Sequence, residues 1–393
     1  MPLVTKRGHP LSTIKRSPKP APLSRPTAPF TNPCSTACVM SPWDAIDVKQ
    51  TFWTQPATLE IKNMAKIDVF GIGNALVDQV YAVEESFLTQ IGEEKGRMSL
   101  VDPQRQAELS RALASTPALR ACGGSAANSL IALTQLGGSA FHACRVAEDE
   151  TGHFFAQDLT ANGVQHQLHT LPAGSSGSCM VFITPDAERT MCTFLGASAD
   201  LQPEDVPDAI LTTAQWCYVE GYLVTAPNTL AAALKGLQQA RANGVKTALS
   251  FSDVNMVKFF RDGFSQMLGE SGVDLIFCNA EEALAFAETD DMAQATAALK
   301  KQSRTFVITL GAEGALLWDG QQEIQVAGQP AKAIDTNGAG DMFAGAFFYG
   351  ITQGWDFTKA AQLACRCCAV LVTHAGARLP KSRTQEILAQ FVP

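Results

Sequence analysis

The chain is poor in charge and has no long apolar run. Only 17% of its 393 residues are Asp, Glu, Lys or Arg, while 46% are hydrophobic. No stretch of about 18 uninterrupted apolar residues occurs, so no transmembrane helix is expected. An apolar h-region is also missing near the amino terminus, which excludes a secretory signal peptide. The eleven cysteines show no usual zinc spacing. Cys365, Cys367 and Cys368 cluster as Cys-x-Cys-Cys inside a helical pattern, which reads as reduced, buried cysteine in a cytoplasmic protein. Gly71-Ile72-Gly73 follows an apolar strand, but position 76 is Leu. The third glycine of a dinucleotide-binding turn is therefore absent, which argues against a dehydrogenase.

Acidic residues are missing from the first 43 positions, which hold nine prolines and six basic residues. No apolar periodicity is present there, so residues 1–63 are expected to be a disordered, basic, Pro-rich extension. Its composition is compatible with an organelle transit peptide, but the prolines oppose the amphipathic helix such peptides need. Met64-Ala65-Lys66 directly precedes the first strand, and the preferred expectation is a start there. Residues 1–63 carry eight basic and three acidic residues, leaving 22 basic and 35 acidic for the rest. Such an acidic body argues against general nucleic-acid binding. Its length and apolar content suit one large α/β domain over residues 64–393.

That domain is organised around Asp335-Thr336-Asn337-Gly338-Ala339-Gly340-Asp341, followed by the small, apolar run Met342–Phe348. The run predicts a buried helix and the glycines predict a loop entering it. First-turn N–H groups have no intrahelical partner, and the helix dipole is positive at that end. Glycines there let an anion lie against bare backbone. Asp341 puts a carboxylate at the mouth of this anion hole. It would repel a resting phosphate, but it suits a base that takes a proton from a hydroxyl attacking phosphorus. Standing alone, Gly-x-Gly-Asp is an N-cap on a glycine turn. The whole stretch ahead of an apolar helix resembles the C-terminal signature of the PfkB family, the ribokinase-like carbohydrate and nucleoside kinases. The resemblance implies that Asp341 is the catalytic base and that the amides of Gly338, Ala339 and Gly340 form the anion hole.

Four further motifs follow the family's order. Ile67–Gly73 predicts a buried strand running into Asn74 and Asp78, which suit a cis-diol or equally a turn. Cys122-Gly123-Gly124 enters a helix that carries Asn128 one turn in. Asn279-x-x-Glu282 ends a strand and by itself is a helix N-cap with first-turn acids. Thr309-x-Gly311-x-x-Gly314 by itself is a strand and turn. Short alternating segments, Gln165–Leu171, Ser178–Thr184 and Arg189–Leu195, interrupt the α/β rhythm. They predict a small β-sheet covering a cleft, with strands from about 79–101 and 165–196. By resemblance, Asn74, Asp78, Gly123, Gly124 and Asn128 line the acceptor site, and Arg189 swings in to neutralise phosphate. Asn279 and Glu282 hold a hydrated Mg2+ through water, and Thr309, Gly311, Gly314 and Asn337 line the ATP site.

The expected fold class is α/β, a doubly wound, mostly parallel sheet flanked by helices, with a small β-sheet lid. The expected activity moves the γ-phosphate of ATP, with Mg2+, to a primary hydroxyl of a small molecule. Partners are neither nucleic acid nor membrane, and monomer and homodimer both stay open. Asn337, the Gly73–Asp78 run and Tyr218–Val224 look more like adenosine kinases than ribokinases, so adenosine is the favoured acceptor. Two residues depart from that pattern. Tyr222 is the one aromatic after Gly221, where purine stacking is expected, and Glu220 is unusual at its position. Inosine, guanosine, ribose, fructose and 2-keto-3-deoxygluconate stay open as acceptors. A catalytically silent nucleotide-binding protein is the reading from another class, and the intact Asp341 stands against it.

Overall fold

Along Ala214–Glu220, Trp216 and Tyr218 belong to one hydrophobic core while Cys217 and Val219 belong to the other. A strand that is apolar on both faces fits a parallel sheet covered on both sides by helices. The computed structural model describes residues 66–186 and 188–391. The extension assigned to residues 1–63 lies outside the described residues.

The main sheet has nine strands. From one edge to the other they are Glu323–Ala327, Gly314–Trp318, Ser303–Thr309, Val273–Asn279, Lys246–Ser250, Ala214–Glu220, Ile67–Ile72, Ala140–Ala143 and Val164–His166. The last seven run parallel, and the hairpin of the first two is antiparallel. One face packs on helices Ser125–Gln135, Ala339–Thr352, Phe357–Leu371 and Lys381–Phe391. The other packs on Pro227–Ala242, Arg261–Leu268, Ala280–Ala287 and Met292–Gln302. The doubly wound fold expected from the sequence is therefore the one observed. No helix among the described residues is long and apolar enough to cross a membrane.

A five-stranded sheet stands apart from the main one, in the order Met98–Leu100, Arg189–Phe194, Gly177–Ile183, Leu76–Ala82 and Leu119–Gly123. Its membership differs from the sequence expectation. Within the segment 165–171, Val164–His166 extends the main sheet beside Ala140–Ala143, and His169–Leu171 pairs with Arg145–Ala147. The helix Glu150–Ala161 returns the chain alongside Ala140–Ala143 as a parallel crossover, and buried Val164 joins the main core. Short alternating segments look alike whichever sheet they join, because alternation reports burial on one face and not the partner. Leu76–Ala82 and Leu119–Gly123 pair antiparallel, which brings Asp78 opposite Ala121 and next to Gly123.

Candidate active site

The parallel strands end on one side of the sheet. There Thr309, Asn279, Ser250, Glu220 and Asn74 follow one another across neighbouring strands and border a cleft of about 730 Å³. Ligands of open α/β sheets bind at such strand ends. The small sheet adds Leu76, Asp78, Met98, Leu100, Val181, Arg189 and Met191 to the lining, and the loop Ala333–Asp341 adds the rest of the wall.

Asp341 stands in the first turn of the helix Ala339–Thr352. Ser125 Oγ donates to its Oδ1 at 2.6 Å, and Asn128 Nδ2 donates to its Oδ2 at 3.0 Å. Both donors come from the neighbouring helix Ser125–Gln135, which lies unusually close. A β-carbon at Gly345 would collide with Ser129 O and lie 2.6 Å from Ala132 Cβ, so only glycine permits that approach. Burial pushes the Asp341 carboxyl up to about 6, against the two hydrogen bonds that pull it down. A carboxylate tuned in this way is ionised near neutral pH yet basic enough to accept a proton.

Beside it, Gly338 is the helix N-cap in the left-handed region, φ +68°, with no side-chain cap. A β-carbon there would strike Ala377 O. The first intrahelical bond runs from Met342 N to Gly338 O at 2.8 Å, so the amides of Gly338, Gly340 and Asp341 precede the helical ladder. Gly340 has nothing within 4 Å of where a side chain would begin, which leaves room for an anion against backbone. The expected trio needs one correction. The Ala339 N–H donates to Thr336 O at 3.2 Å, closing the turn, and is not directed at an anion.

Asp335 shapes this loop from below. Its Oδ1 accepts Asn337 N at 2.8 Å and its Oδ2 accepts Gly376 N at 2.7 Å. Arg189, reaching across from the small sheet, forms an ion pair with the same Oδ1. Arg189 is thus not a solvated edge charge, and among the described residues its buried Nε has no hydrogen-bond partner and it is the one basic residue in the lining of the cleft. Asn337 contributes to the lining, while its backbone is committed to Asp335.

Asp78 lies across the cleft, and its carboxyl is pushed up to about 7 by burial, with Arg378 pulling it down, Asp341 pushing it up and Arg189 pulling it down. Gly124 lines the cleft with φ +95°, whereas Gly123 sits behind Asp78, where a β-carbon would collide with the carboxylate. Asn74 is buried and its polar atoms are spoken for: Nδ2 donates to Glu220 Oε1 at 2.6 Å, and Oδ1 accepts Ser198 Oγ at 3.0 Å. Asn128 Oδ1 is buried and has no hydrogen-bond partner among the described residues, so of the two asparagines it is the one with acceptor capacity to spare.

At the other flank, Asn279 and Glu282 form a capping box on the helix Ala280–Ala287. Asn279 Oδ1 accepts Glu282 N at 2.8 Å, while Glu282 accepts Asn279 N at 3.0 Å and Nδ2 at 2.8 Å. Both carboxylate oxygens are engaged, and burial pushes the Glu282 carboxyl up to about 7. Among the described residues no group of three or more His, Cys, Asp or Glu is placed to hold a metal ion. Thr309 lines the cleft, while Gly311 and Gly314, with φ of +60° and +103°, lie outside the lining and shape the turn behind it. Tyr222 lines the cleft, and burial, ahead of the charges of Asp253, Asp341, Glu220 and Glu282, pushes its hydroxyl up.

Sequence reasoning missed Ser125, Asp335 as an organiser, and Arg378, whose charge acts on Asp78. Ser125 directly follows the Cys122-Gly123-Gly124 turn, and its position one residue after a glycine N-cap was the available signal. Comparison with known proteins points the same way as this geometry. The pfkB family carbohydrate kinase model matches residues 88–384. Adenosine kinase 1 of Arabidopsis thaliana is 26% identical over 335 residues, covering 80% of this chain and 96% of its own. The solved adenosine kinase of Sinorhizobium meliloti is 34% identical with a TM-score of 0.76, covering 83% of this chain and 99% of its own. A probable sugar kinase of Rhizobium etli matches equally well, at 34% identity, the same TM-score and the same coverage. A strand-end cleft, a glycine-entered helix carrying Asp341 and a family match over most of its length together make this chain a member of the PfkB family of carbohydrate kinases.

Proposed function

We propose that the protein transfers the γ-phosphate of ATP to a primary hydroxyl, with Asp341 as general base and adenosine as the favoured acceptor. The observation that carries this reading is the joint position of Asp341 and the bare backbone of Gly338 and Gly340 at one helix N-terminus. The acceptor hydroxyl would bind between Asp341 and Asp78 and hand its proton to Asp341 Oδ2 or Oδ1. As the oxygen attacks phosphorus, the amides of Gly338 and Gly340 and the helix dipole would meet the charge on the transferring group. Ser125 and Asn128 hold the base in line throughout, so little reorganisation is needed at the moment of reaction. Arg189 would exchange Asp335 for phosphate as the small sheet closes and excludes water. Thr309 and Asn337 would line the nucleotide. A hydrated Mg2+ near Asn279 and Glu282 would supply further charge neutralisation.

For the acceptor, the small sheet presents an aliphatic and sulfur wall of Leu76, Met98, Leu100, Val181 and Met191. Such a wall packs on the face of a purine and offers little to a bare sugar. The 34% identity to a protein described as an adenosine kinase supports the same choice. A sugar acceptor is the second reading, favoured by the equal likeness to a probable sugar kinase. The test is ATP-dependent turnover, with and without Mg2+, on adenosine, inosine, guanosine, ribose, fructose and 2-keto-3-deoxygluconate. Preference for adenosine supports the nucleoside reading. Preference for a sugar overturns the acceptor while keeping the chemistry.

A further inference from the structure

Glu220 is completely buried at the end of the strand Ala214–Glu220, and among the described residues its hydrogen bonds go neither to Asp341 nor to any hydroxyl. Its carboxylate instead ties three elements together. Oε1 accepts Asn74 N at 2.7 Å and Asn74 Nδ2 at 2.6 Å, and Oε2 accepts Ala126 N at 2.9 Å. Ala126 is the second residue of the helix Ser125–Gln135, whose N-cap is Gly124 and therefore offers no side chain to the orphan amides. Gly124 is forced to be glycine, since its φ is +95° and a β-carbon would collide with Asn74 O. Gly73 is forced too, because a β-carbon there would lie 2.6 Å from Glu220 Oε2. The space a local cap would need is thus filled by the Asn74 backbone, and a carboxylate from a distant strand takes over the capping. That same helix end delivers Ser125 and Asn128 to Asp341.

We propose that Glu220 is a positioning residue for phosphoryl transfer: by capping the helix Ser125–Gln135 from the neighbouring strand, it holds Ser125 and Asn128 against Asp341. The inference rests on the kinase reading above. A carboxylate is required because three N–H groups converge on two oxygens. In Glu220→Gln one oxygen becomes an NH2 group that faces a backbone or side-chain N–H. The helix end then withdraws, and Asp341 loses the donor nearest that end first.

The experiment measures kcat and KM for the unsubstituted protein, Glu220→Gln, Ser125→Ala and the double variant, each checked by thermal melting. Glu220→Gln should lower kcat by at least about tenfold while KM for ATP moves by less than about twofold, the pattern of a misplaced catalytic group. The double variant should be no slower than the slower single one, since both changes break one chain of contacts. Losses that multiply, or a kcat unchanged in Glu220→Gln, would overturn the proposal. Should Glu220→Gln fail to fold, Glu220→Asp keeps the charge but shortens the reach, and its coupling to Ser125→Ala is read in the same way. Absence of ATP-dependent turnover in the unsubstituted protein would contradict the kinase reading itself. Turnover there with uncoupled variants would contradict only the role of Glu220.

Discussion

At the scale of single residues, Asp341 is the base of the proposed reaction, and its environment sets a pH dependence. Burial raises its carboxyl to about 6, so the protonated, inactive form persists further up the pH scale than for an ordinary aspartate. At low substrate, turnover should rise with pH through a midpoint near 6 and then level off, which a pH profile of kcat/KM checks. Asp78 gives a second prediction, on stability. Its folded carboxyl, at about 7, binds its proton more tightly than in the unfolded chain. Its contribution to folding is therefore fully present below the ordinary carboxylate range and is lost as pH rises through about 7. The thermal midpoint of Asp78→Asn should fall less over that interval than that of the unsubstituted protein. Asp341, Asp78 and Asn128 were legible from the chain because their spacing around glycines is local. The networks around Asp335 and Glu220 were not, because their partners lie far away in sequence: Arg189 for one, Asn74 and Ala126 for the other.

Between elements, the decisive contact is the crossing of helices Ala339–Thr352 and Ser125–Gln135. Gly345 against Ser129 O sets their separation, and the separation sets the hydrogen bonds to Asp341. Gly345→Ala should destabilise the fold by about 1–3 kcal/mol, the usual range for overpacking. It should also lower kcat, because the added methyl pushes apart the helices that carry the base and its donors. A lower melting temperature with unchanged kcat would show that the crossing serves stability alone. The helix after the glycine loop was readable from its apolar run, and the parallel strands from their continuous hydrophobicity. The partners of the short strands were not. His169–Leu171 alternates as a strand of the small sheet would, yet it pairs with Arg145–Ala147. Alternation fixes which face is buried and leaves the neighbour to tertiary packing. The Asn279–Glu282 pair shows the same limit: its spacing alone gave a helix cap, and the hydrogen bonds form that cap where it faces the cleft.

For the whole molecule, Arg189 of the small sheet pairs with Asp335, which ties that sheet to the glycine loop proposed as the anion hole. Arg189→Ala should lower kcat by about 100-fold, as loss of one charge-stabilising donor does, and should also lower the melting temperature, because it leaves buried Asp335 without its cation. A fall in stability without a fall in kcat would instead assign the pair a purely structural role. The central claim, that Asp341 is the base of an ATP-dependent phosphoryl transfer, is tested most directly by Asp341→Asn. ATP binding by calorimetry and turnover on the favoured acceptor are measured side by side with the unsubstituted protein. The expected result is turnover reduced by at least about 100-fold, the usual worth of a positioned base, with ATP affinity largely kept. Turnover that persists near the unsubstituted rate would contradict the assignment of Asp341.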